Sequence, residues 1–120
     1  MAAPNLVNPG TITSKTGVLA ATTAPTAIVT NALASSKVVR VVSLIATNLD
    51  PATQYYLTAD FYRGSTATNF AKSIGIPAGV SVTLAGRDAP IYLEEGDSVR
   101  LTASANAKIE AVCSYELVAA

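Results

Sequence analysis

Three acids crowd one glycine in the stretch IYLEEGDSVRLTASA, where Glu94, Glu95 and Asp97 flank Gly96. Carboxylates this close can hold a divalent cation or divide general-acid and general-base work between them. A calcium loop needs about six or seven oxygens, and the sequence offers neither a D-x-D-x-D-G run nor a second acidic cluster to supply them. The flanks carry a plainer message. Ile91 and Leu93 alternate before the acids, and Val99, Leu101 and Ala103 alternate after them, so the chain must reverse in between. Gly96 can take the positive φ of a tight turn, and Asp97 can bond its own backbone. The expectation is the tip of a β-hairpin with solvated acids.

The remaining residues offer little other chemistry. Histidine is absent, which removes the Ser-His-Asp and Cys-His pairs, the HExxH motif and any His-bearing zinc site. The other acids, Asp50, Asp60, Asp88, Glu110 and Glu116, are scattered, so a glycosidase dyad has no evident pair. Tryptophan is missing, and no glycine-rich loop leads into a helix to cradle phosphate. The reading is a protein that is not an enzyme, with no cofactor, no metal and no small-molecule substrate. Cys113 falls in the apolar phase of KIEAVCSYEL and reads as a small buried hydrophobe.

The elements that would carry any contact surface are strands. A chain of 120 residues is one domain by size. Eight basic residues balance eight acidic ones, so neither a nucleic-acid nor a membrane partner is expected. No apolar run approaches the roughly 20 residues of a bilayer span, and MAAPNLVNPG lacks the features of a secretory signal. The expectation is a soluble protein made in a reducing cytoplasm. Alanine supplies 22 residues, and a surface of small apolar and hydroxyl groups suits close packing against neighbours.

Residues 1–30 are poor in charge and rich in Ala, Thr, Pro and Asn, and read as an extended N-terminal arm that pairs at a sheet edge or reaches a neighbour. Residues 31–120 read as a single domain. KVVRVVSLIATN sets Val38, Val42, Leu44 and Ala46 on one face and Val39, Val41 and Ile45 on the other, the pattern of a central strand covered on both sides. In YYLTADFYR, Tyr55, Leu57, Ala59 and Phe61 point inward and Tyr56, Thr58, Asp60 and Tyr62 outward. NFAKSIGIP, VSVTLAG, Ile91–Leu93, Ser98–Ser104 and KIEAVCSYEL complete about eight short strands separated by turn signals. The fold class is all-β, an antiparallel β-sandwich or jelly-roll-like fold.

The segments TAIVTNALASSKVVRVVSLIATNLD, LTADFYRG, AKSIGIPAG and DAPIYLEEGDSVRLTASANAKIEAVCSYE together resemble small β-sandwich virion proteins of tailed bacteriophages, of the kind found in phages of cyanobacteria and marine bacteria. The resemblance covers about residues 11–118. It implies a non-enzymatic structural part of a phage particle, and first a head decoration (cement) protein that clamps junctions between major capsid subunits. It implies as partners the major capsid protein or another virion protein, and a homo-oligomer, a trimer, located on the virion head. The contact residues expected are Asn5, Leu6, Val7 and Ile12 in the arm, with Tyr56 and Tyr62 on the outward face of their strand. The exposed loops Asn48–Gln54, Gly64–Asn69 and Gly86–Ala89 are expected together at one end of the sandwich. The alternatives are a tail, neck, baseplate or fibre component, a generic carbohydrate- or protein-binding sandwich, and a hydrolase.

Overall fold

A computed structural model describes residues 10–119. They form nine strands in two antiparallel sheets. The first sheet runs β1 (Thr11–Ala20), β9 (Ile109–Ala119), β3 (Lys37–Asn48), β6 (Ser81–Ala85), with β7 (Ile91–Leu93) also paired to β3. The second runs β2 (Thr26–Thr30), β8 (Ser98–Ala103), β4 (Tyr55–Arg63), β5 (Thr66–Ile76). The all-β sandwich expected from the alternating pattern is what the chain adopts.

Between the sheets lies one core, with Val39, Val41, Leu44, Leu57, Leu93, Leu101 and Ile109 fully buried. Alternation places these residues there: side chains two apart on a strand share a face, so each inner face collects the apolar set of its strand. Burying each Val or Leu contributes on the order of 1.5–3 kcal/mol.

The two-sided apolar pattern of residues 37–48 reflects coverage on both faces only at its start, where Val38 and Val39 are both buried; beyond that it has another cause. The pairing of β3 with β9 slips between Val41 and Ser43. This β-bulge switches the inward phase, so Val39 and Val41 face the core before it and Leu44 and Ala46 after it, while Ile45 is exposed. One strand thus shows both parities as apolar without being covered throughout on both faces.

The chain also begins its sandwich earlier than the composition indicates. Residues 11–20 and 26–30, assigned to the arm, are the edge strands β1 and β2. Thr11 pairs with Ala119 and Ala20 with Glu110 in unbroken register. Strands β6 and β7 both run antiparallel to β3, opposite residues 44–47 and 39–41. They act as one edge strand interrupted by residues 86–90, which loop out beside the β3 bulge and close with a bridge from Gly86 to Ala89.

Candidate functional site

The acidic turn is not the tip of a hairpin. β7 belongs to the first sheet and β8 to the second, so Glu94–Asp97 is a corner at which the chain crosses the sandwich. The crossing needs a sharp reversal. Gly96 supplies it at φ 88°, a conformation that L side chains disfavour.

Asp97 is buried, with a side-chain exposure of 2%, rather than solvated as the turn pattern implies. Its Oδ1 accepts from Arg63 Nε at 2.9 Å, and its Oδ2 from Arg63 Nη2 at 2.7 Å and from the Glu94 amide at 2.9 Å. Arg63 closes the end of β4, so the ion pair joins the β4 terminus to the inter-sheet corner. The guanidinium holds the Asp97 carboxyl below the usual carboxylate range, with the Glu94 amide adding to the effect against the opposing cost of burial. Glu94 adds a solvent-exposed contact to the same Arg63 Nη2 at 2.7 Å.

A buried asparagine locks the other side of the corner. Asn31 donates its amide to the carbonyls of Lys37 at 2.8 Å and Leu93 at 2.9 Å, and accepts from the Ser35 hydroxyl at 2.6 Å. Its backbone exchanges bonds with Gly96 and Asp97 at 2.7 and 2.9 Å. At the far end of the sandwich Asn48 repeats the device, donating to Thr53 and Ile76 carbonyls at 2.9 and 2.8 Å and accepting from the Asp50 amide at 2.9 Å. Asp50 caps Ala52 and Thr53 and pairs with Lys108 at 3.2 Å. Both amides satisfy carbonyls that a strand end leaves unpaired.

These groups fasten the chain to itself. Both oxygens of Asp97 are committed to intrachain donors, and among the described residues no group of three or more His, Cys, Asp or Glu side chains is arranged to hold a metal. Cys113 lies in the core, and burial pushes its thiol up to about 11.

The expected contact residues are dispersed. Asn5, Leu6 and Val7 lie outside the described residues. Ile12 is half-exposed on the outer face of the first sheet, and Tyr56 half-exposed on the outer face of the second. Tyr62 does not join Tyr56 in a patch: Arg100 stacks on its ring at 3.9 Å while bonding the buried Asp60 at 3.0 Å. Asp60, read as outward and solvated, is therefore covered. The three loops are not gathered at one end either. Residues 48–54 sit beside Lys108, Gly64 and Ser65 turn next to the acidic corner at the opposite end, and residues 86–90 interrupt a lateral edge. Thr66–Asn69 belongs to β5.

Sequence reasoning passed over a row of exposed apolar side chains. Val18 on β1 faces Val112 on β9, which faces Ile45 on β3. All three point out of the first sheet with exposures of 76%, 44% and 38%. Thr16, Ser114 and Ser43 form the row on one side, and Ala20, Glu110 and Thr47 the row on the other. The signal in the sequence was Val112, an apolar residue in the outward phase between inward Ala111 and Cys113. A second apolar feature is an open groove of about 400 Å³ between the sheets, lined by Phe61, Phe70, Leu84, Ala89, Pro90 and Ile91.

Neither a protein-family model nor a curated protein matches the sequence. Among solved structures, the chain is similar to a protein of Bacillus endospore appendages, described as "a novel family of disulfide-linked pili". The likeness has a TM-score of 0.54 at 18% identity and covers 91% of this chain and 88% of that one. It is a likeness of fold.

Proposed function

We propose that this protein is a non-enzymatic building block of a large protein assembly, specifically a phage head decoration protein that clamps major capsid subunits. The observation that carries this reading is the outer face of the first sheet. There the Val18–Val112–Ile45 row stands exposed between a row of hydroxyl side chains and a row that carries Glu110, and the ends of the sandwich are fastened by buried Asn and Asp groups. An apolar stripe of β-branched side chains is suited to burial against another protein, because desolvating it costs little and its side chains need little reordering. Many copies acting on one shell would multiply individually weak contacts. The phage assignment itself rests on the sequence resemblance.

The pilus-like neighbour favours a second reading, a subunit of a filament or fibre, of which a tail or fibre part of a virion is one form. A disulfide-linked version of it would have to manage without Cys113, the one cysteine of the sequence, which the core encloses.

Gold-labelled antibody on intact particles of the encoding phage separates the two. Label spread over heads supports decoration. Label confined to the tail or one vertex supports the fibre reading, and bare particles with an accessible epitope rule out both virion readings.

A further inference from the structure

A sandwich of two open sheets has four edges, and an edge strand is a template for pairing unless something blunts it. Three of the four here are blunted. β2 has five residues and a register slip between Ala27 and Val29. β5 carries register slips against β4 and places Ser73 at φ 47°, next to Lys72. The β6–β7 edge is broken by residues 86–90, which push Arg87 and Asp88 outward. β1 differs from all of them. It runs ten residues in unbroken register with β9, most of them exposed, and Lys15 is its one charge. Among the described residues no strand pairs with its other edge.

We propose that β1 is a self-association edge, through which two copies of this chain pair antiparallel about a two-fold axis at Thr16. The occupant follows from the edges themselves. A regular edge needs a regular partner strand, the other three edges are obstructed, and a second β1 is the matching surface on the same molecule. Lys15 then fixes the register. Centring the axis on Lys15 would set the two lysines directly opposite each other, a destabilising like-charge pair. Centring it on Thr16 still pairs nearly the whole strand and sets each Lys15 against Gly17 of the second copy, with Ser14 against Val18 and Ile12 against Ala20. Joining two such strands, with the side chains above and below them, buries on the order of 1,000 Å², the floor for a specific interface. The result is one continuous sheet across both copies. This association is a property of the purified chain, whatever particle it belongs to.

Sedimentation equilibrium on the full chain tests it. The expected result is a species of twice the 12.2 kDa chain mass at micromolar to hundred-micromolar concentration. The double variant Thr16→Lys/Val18→Lys should weaken association at least 100-fold, while Ala67→Lys on the β5 edge leaves it unchanged. Circular dichroism shows whether each variant keeps its β structure. In a second measurement, which does not depend on the double variant folding, Thr16→Cys should be joined by a short bismaleimide and Thr13→Cys should not. A chain of single mass throughout, a dimer that survives the β1 changes, or equal loss with Ala67→Lys overturns the proposal. Equal cross-linking at positions 13 and 16 overturns the two-fold at Thr16.

Discussion

Arg63 reaches from the end of β4 to grip both oxygens of Asp97, at 2.9 and 2.7 Å, in the corner where the chain passes from one sheet to the other. The pair is asymmetric in burial: Asp97 is enclosed and Arg63 is 56% exposed. Removing the arginine therefore leaves a buried carboxylate with only the Glu94 amide as donor. Arg63→Ala should destabilise the fold by about 2–3 kcal/mol. Glu94→Ala, which deletes an exposed contact to the same guanidinium, should cost less than about 1 kcal/mol. Urea unfolding of both variants measures the difference, and equal losses would contradict the role given to burial.

Acid should weaken this corner and the Asp50 turn at the opposite end of the sandwich. The carboxyls of Asp97 and Asp50 are both held below their ordinary range, Asp97 chiefly by Arg63 and Asp50 chiefly by the Ala52 and Thr53 amides. A depressed folded-state value means that the unfolded chain takes up the proton first. The stabilisation is complete above the unfolded value of about 3.9 and is lost as pH falls through the folded values. Unfolding midpoints recorded from pH 6 to pH 2 should drop on the acid side, and Asp97→Asn should flatten part of that drop.

Gly96 should resist replacement for reasons of backbone rather than space. A Cβ there would stand 2.9 Å from Leu33 Cδ2, but Leu33 is 81% exposed and free to move aside. The φ of 88° remains. Gly96→Ala should cost about 1–2 kcal/mol, and adding Leu33→Ala should restore little of it. Thermal melts of the single and double variants decide the matter.

Asn48 should prove as necessary as a core leucine. Asn48→Ala strands the Thr53 and Ile76 carbonyls that its amide now satisfies, a loss of about 2–3 kcal/mol. Hydrogen exchange in residues 48–54 should rise more than in the acidic corner at the other end.

Val112→Glu tests the contact face without disturbing the fold. Val112 is 44% exposed, so stability should stay within about 0.5 kcal/mol of the parent. On the decoration reading, the variant should fail to label phage heads that bind the parent protein.

The strands were legible because alternation and turn residues are local signals, and the Val99–Leu101–Ala103 and Ile109–Ala111–Cys113 faces lie inward as the sequence indicates. What was not legible is set by distant partners. The bulge at Val41–Ser43 appears in sequence only as two apolar parities, which a doubly covered strand would also produce. The burial of Asp97 depends on Arg63, 34 positions away, and that of Asp60 on Arg100, 40 positions away. The local sequence around each acid gave no hint of either. Residues 11–30, read as an arm that pairs at a sheet edge or reaches a neighbour, take the first course as β1 and β2; low charge and frequent Thr and Ala do not distinguish the two. Tyr56 and Tyr62 share a strand face, but only the register of β8, which carries Arg100 to Asp60, shows that one of the two is taken.

The position of β9 has a consequence for synthesis. It lies between β1 and β3 and pairs with both along nearly its whole length. The ribosome makes β1 first, yet that strand has no neighbour in its own sheet until residues 109–119 have emerged. A nascent chain halted before them can join β4 to β5 and β3 to β6, but it leaves the early strand unzipped and the sandwich open on one side. Completion of the first sheet thus waits on residues 109–119, the latest made of its strands.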